Sequence, residues 1–138
     1  MLGAVPFDEM STFYFESDAF LFTSLQDTTG TVVAEAMSHG LPIVTLDHQG
    51  AALMVTDQCG IKIKIESASQ VVQDMASALQ VLALHAPWRE SLGSAARRRV
   101  EEQYTWHSKA DLLRETYARA VTRPQVAEPK RERVAARA

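Results

Sequence analysis

Ser24-Leu25-Gln26-Asp27-Thr28-Thr29-Gly30-Thr31-Val32-Val33-Ala34-Glu35-Ala36-Met37-Ser38-His39-Gly40-Leu41-Pro42 decides the fold, because apolar strand-like runs flank it on both sides. The stretch follows a strand over residues 19–23 and reads as a polar turn, a helix over 31–38, a Gly stop and the start of a second strand over 41–46. That order is a βαβ unit. In such sheets ligands sit beyond the carboxyl ends of the strands. Asp27 falls in the turn and Glu35 about one turn into the helix, so both carboxylates can face one ligand. The turn residues Thr28, Thr29, Gly30 and Thr31 bring backbone N–H groups to a helix N-terminus, where unpaired donors and the macrodipole favour an anion. Two carboxylates around an anion hole suit a ligand that carries both hydroxyls and phosphate.

Short β-rich runs alternate with helical stretches outward from this unit, the order expected of a parallel sheet with crossovers. Residues 2–5 are a strand candidate, followed by a helix with Met10, Phe13 and Tyr14 at helical spacing. Residues 60–65 contain Ile61-Lys62-Ile63-Lys64-Ile65, whose alternation predicts a strand with one wet face at a sheet edge. A helix begins near Ser67 or Ser69 and carries Val71, Met75, Leu79 and Leu82; another runs from Pro87 through Val100, and a last one from Trp106 through Ala120. Trp106, with Leu112 and Leu113 beyond it, reads as a packing anchor. Phe13, Tyr14 and Phe15 in succession cannot all face one core, which leaves an aromatic patch at the surface.

With 138 residues, 46% of them hydrophobic and 22% charged, the chain is one globular domain large enough for a core. A net charge of -3 gives no reason to expect nucleic acid. The single Cys59 allows no internal disulfide and fits a reducing compartment. No apolar run approaches the ~20 residues of a membrane span, and no secretory signal opens the chain. The expected setting is cytoplasmic. After Thr122 the composition shifts to Pro, Ala and charge, with Arg123, Lys130, Arg131, Arg133 and Arg137 against Glu128 and Glu132, a net +3. The plainer reading of this tail is a disordered, solvated end; the other is contact with the anionic inner face of a membrane.

Each candidate side chain also has a plainer job. Asp27 suits a turn or helix N-cap as well as a ligand. Glu35 is surrounded in sequence by Val32, Val33, Ala34, Ala36 and Met37, and a carboxylate in so apolar a stretch needs a partner or a ligand hydroxyl. His39 precedes the Gly stop and most simply meets the helix C-terminus. His48 follows the second strand and is a possible ligand contact. His85 and His107 lack partners at ligand spacing, so no metal site is expected. There is no nucleophile elbow, and Gly30 is too isolated for a dinucleotide fingerprint.

The acid pair Asp27 and Glu35, continued by Ala36-Met37-Ser38-His39-Gly40-Leu41-Pro42-Ile43-Val44, resembles the acid-x7-acid signature and E-A-x-x-x-G-x-P-V/I-V run of family four (group 1) retaining glycosyltransferases. That run lies in the donor-binding half of their GT-B fold. Asp18-Ala19-Phe20-Leu21-Phe22-Thr23-Ser24, Asp47-His48-Gln49-Gly50 and Tyr104-Thr105-Trp106 agree, so the resemblance covers roughly residues 2–121. The chain departs from the family in having Asp for the usual first Glu and Thr28-Thr29-Gly30-Thr31 for the usual Gly-Phe-Gly-Leu.

The resemblance implies an α/β fold: a partial Rossmann-like, doubly wound parallel sheet of about four strands with flanking helices and a C-terminal helical segment. It implies that residues 1–121 are the truncated C-terminal domain of such an enzyme, with 122–138 as the tail. Asp27 would be catalytic and accept hydrogen bonds from hexose hydroxyls. The backbone of Thr28, Thr29, Gly30 and Thr31 would hold hexose and diphosphate, and Glu35 the nucleotide ribose. The donor would be a nucleoside diphosphate sugar, with no cofactor, and an N-terminal acceptor domain would be the partner. In the order 3-2-1-4-5-6 the strand over 2–5 would lack its neighbours, from which a homo-oligomer is expected. The competing class is a non-catalytic α/β module that binds a phosphorylated small molecule or serves in protein interaction.

Overall fold

The computed structural model describes residues 3, 5, 6 and 9–122. Three parallel strands, β1 (Phe20–Phe22), β2 (Ile43–Leu46) and β3 (Gly60–Ile63), form one sheet in the order β1-β2-β3. Six helices surround it: α1 (Met10–Phe15), α2 (Thr31–Ser38), α3 (Gln49–Met54), α4 (Ala68–Leu84), α5 (Ala86–Gln103) and α6 (Trp106–Thr122).

The central strand carries apolar side chains on both faces and is buried at all four positions, the pattern of a parallel sheet covered on both sides. On one face Ile43, with Phe20 and Phe22, meets Val33, Ala36 and Met37 of α2, Ala51 and Met54 of α3, and Ala96 of α5. On the other, Val44, Leu46 and Ile63 meet Met75, Ala78 and Leu82 of α4 and Leu92 of α5. The doubly wound architecture expected from the sequence is therefore present, with α5 joining the two layers.

Local chemistry sets the element ends. Ser67 accepts from the Gln70 N–H while Gln70 reaches back, a capping box that starts α4. Helix α2 stops at Gly40, whose φ of +78° suits a residue without a Cβ. The Gly40 N–H donates to Met37 O (2.9 Å) and the Leu41 N–H to Ala36 O (3.2 Å), a Schellman ending. That turn also lets α5 approach: a Cβ on Gly93 would lie 2.0 Å from the Gly40 carbonyl oxygen.

Three expectations need correction. The described sheet has three strands, not about four; of the strand expected over 2–5, Leu2 and Ala4 lie outside the described residues, while Gly3 and Val5 belong to no strand. The alternation over 60–65 forms an edge strand as expected, but it stops at Ile63. Trp106 is 91% exposed, and Leu112 and Leu113 are exposed too, so none of them anchors packing. Helix α6 buries no residue: among the described residues its main neighbour is α5, and its apolar side chains stay uncovered. The tail expectation for 122–138 falls, beyond Thr122, outside the described residues.

Candidate active site at the strand ends

The loop after β1 and the loop after β2 meet at the carboxyl edge of the sheet. The Asp27 N–H donates to Gln49 Oε1 at 2.7 Å, and the Gly50 N–H to the Asp27 carbonyl at 3.4 Å. Gly50 passes so close to the turn that an added Cβ would lie 2.7 Å from Thr28 O. Gln49 itself holds φ of +52°, unusual for a residue with a side chain. Sequence reading missed both this brace and the short helix α3 behind it.

Inside the turn, Asp27 Oδ1 accepts from the Thr29 and Gly30 N–H groups, each at 3.0 Å. These bonds, Gly30 first and Thr29 second, hold the Asp27 carboxyl below the usual carboxylate range. The turn-residue reading of Asp27 therefore holds, and two N–H groups expected to face a ligand serve Asp27 instead. Among the described residues, Thr31 and Val32 are left at the start of α2 with N–H groups that have no acceptor. Asp27 Oδ2 likewise has no hydrogen bond there. Because the folded value lies below the ordinary 3.8, the stability that Asp27 contributes is complete above about pH 3.8 and is lost as the pH falls through the folded value. A carbonyl-carbon NMR titration should place the Asp27 midpoint below 3.8; a midpoint at or above it would remove these bonds from the solution structure.

Glu35 stands half-buried one turn along α2 and accepts at Oε2 from the Tyr14 hydroxyl at 3.3 Å. Burial, and then the Glu35 charge and hydrogen bond, push the Tyr14 phenol above its ordinary value. His39 places Nδ1 3.0 Å from the Glu35 carbonyl, the helix-end role expected of it. His48 is exposed at the carboxyl end of β2, directly before α3. Thr28, Thr29 and Thr31 are exposed, while Gly30 is buried against Ala51 and Met54. Among the described residues no group of three His, Cys, Asp or Glu side chains could hold a metal ion. A separate groove of about 680 Å³ runs along β3 and α4 and shares no residue with this site.

The profile of the family described as "Glycosyl transferases group 1" matches residues 1–83, which include the whole βαβ unit and both carboxylates. The chain belongs to this family. This group 1 chain is 32% identical over 120 residues to a sulfoquinovosyl transferase, SQD2, of Arabidopsis thaliana, covering 86% of its own length and 23% of the relative. It is 31% identical over 122 residues to a D-inositol 3-phosphate glycosyltransferase of Corynebacterium aurimucosum, covering 88% and 28%. Among solved structures it resembles WaaG, a glycosyltransferase involved in lipopolysaccharide biosynthesis, with a TM-score of 0.63 and 26% identity over 85% of the chain and 30% of WaaG. The sucrose-phosphate synthase of Thermosynechococcus elongatus shares the fold, with a TM-score of 0.72 at 21% identity over 87% and 29%. The group 1 chain thus spans about a quarter of the length of the curated relatives it matches.

Proposed function

We propose that the chain is the donor-binding portion of a retaining glycosyltransferase, which transfers a sugar from a nucleoside diphosphate sugar to a glycan, lipid or small-molecule acceptor. The observation that carries this reading is the pair Asp27 and Glu35, each with one carboxylate oxygen tied to the protein and the other without a hydrogen bond among the described residues. Asp27 Oδ2 would accept from hexose hydroxyls and Glu35 from the ribose. The Thr31 and Val32 N–H groups, at the positive end of α2, would face the diphosphate. Negative charge grows on that diphosphate as the glycosidic bond breaks, so donors preset around it stabilise the transition state more than the ground state.

NMR titration of the 138-residue chain with uridine, guanosine and adenosine diphosphates tests the reading. Amides of residues 28–35 should shift with one of them; invariance to all three would overturn it. Family membership disfavours the non-catalytic module, although that reading shares the anion site.

Two further outcomes are expected. Transfer needs donor and acceptor oriented together, and the acceptor-binding half of such an enzyme is the proposed partner. The 138-residue chain alone should therefore transfer no sugar, and a radiolabelled-donor assay that detects product would refute this. β1 also has an open edge among the described residues, beside exposed Leu21. Light scattering should accordingly give a twofold dimer, and a clean 15.3 kDa particle at micromolar concentration would exclude it. The proposed setting is the cytoplasm; no described helix is long and apolar enough to cross a membrane.

A further inference from the structure

Glu35 is the one proposed ligand group whose side chain is held by an element outside the two strand-end loops. Helix α1 supplies Tyr14, only 5% exposed, and its ring is fixed from two sides: edge-on to Phe20 at 6.0 Å and tilted against His39 at 5.0 Å. A ring so confined aims its hydroxyl in one direction, and that direction ends on Glu35 Oε2. His39, the residue that follows α2, is itself tied to the Glu35 carbonyl, so the carboxylate and the ring that steadies its partner stand one turn apart at the end of that helix.

We infer that Tyr14 is a positioning residue for the donor, fixing the Glu35 carboxylate in a single rotamer before the ligand arrives. This role rests on the reading that Glu35 takes ligand hydroxyls. A glutamate without such a tether samples many rotamers and loses that freedom on binding, which weakens the complex; a tethered one has already lost it. The raised phenol value keeps Tyr14 a protonated donor through the physiological range. The geometry also divides the labour, since Oε2 faces the protein while Oε1 has no hydrogen bond among the described residues.

The test uses the 138-residue chain and nucleoside diphosphates as probes in calorimetry. Tyr14→Phe keeps the ring and its packing and removes only the hydroxyl, so affinity should fall roughly 3- to 10-fold while the thermal midpoint falls by no more than about 4 °C, the share of one hydrogen bond. In a Glu35→Ala background the same change should cost almost nothing, because its only target is gone. An equal loss in both backgrounds would show a packing effect and overturn the role. A readout without ligand comes from the Tyr14 phenol: Glu35→Gln should lower its titration midpoint, and an unmoved midpoint would show that the contact is absent in solution. The two readings fail differently. Glu35→Ala with unchanged affinity, or no nucleotide binding by the unsubstituted chain, overturns the donor site and this role with it. Weakening by Glu35→Ala without weakening by Tyr14→Phe overturns the role of Tyr14 alone.

Discussion

Glu35→Ala should weaken nucleoside diphosphate binding by at least ~10-fold, because it removes charge-assisted hydrogen bonds that contribute about 1.5–3 kcal/mol each. Calorimetry showing unchanged affinity for every nucleotide tried would remove Glu35 from the site. The structure adds a second effect that the sequence did not foretell. Truncation also takes the acceptor from the Tyr14 hydroxyl, so stability should drop by about 1 kcal/mol. Glu35→Gln keeps an acceptor oxygen there and should recover most of that stability while leaving the ligand contact weaker.

Gly93→Ala should damage the fold itself severely. Its Cβ would lie 2.0 Å from the Gly40 carbonyl oxygen and 3.1 Å from the carbonyl carbon, and both are backbone atoms. Gly40 cannot step aside freely, since its N–H and that of Leu41 close the end of α2. The two helices must separate, which uncovers Ala36, Met37 and Ala96 from the first core layer. A loss of about 3 kcal/mol, or roughly 10 °C in thermal midpoint, is expected. A midpoint within about 2 °C of the unsubstituted chain would mean that α2 and α5 pack with slack.

The βαβ unit was legible because period, turn chemistry and Gly stop all agreed over 24–46, and the helix over 31–38 appears with those bounds. Helix α3 was not, because Gln49-Gly50-Ala51-Ala52-Leu53-Met54 is too short to show a period and carries a Gly at its second position. What holds it is tertiary: Ala51 and Met54 in the core, and Gln49 on the Asp27 turn. Trp106 misled for a related reason. An apolar stripe on a helix announces a face to be covered without saying what covers it, and here nothing described does.

The site divides the same way. Asp27 could be read both as a turn residue and as a ligand group, and its two carboxylate oxygens keep those readings compatible. Tyr14 was legible as a helical residue spaced with Met10 and as one of three adjoining aromatics, but not as a partner of Glu35; Phe15, at 78% exposure, is the member left at the surface. The Tyr14–Glu35 bond spans 21 residues of sequence, so no local pattern could have announced it.

The central strand has a consequence in the time domain. Strand β2 is paired on both edges and covered on both faces, with Ile43 and Val44 at 0% exposure, so its amide protons should exchange with solvent only when the whole domain opens. Helix α6, with nothing buried, should exchange by local fraying many orders of magnitude sooner. The residue that holds the Asp27 turn, Gln49, stands three positions beyond the end of that strand. The Asp27 turn is thus clamped beside the part of the molecule that gives up its amide protons last.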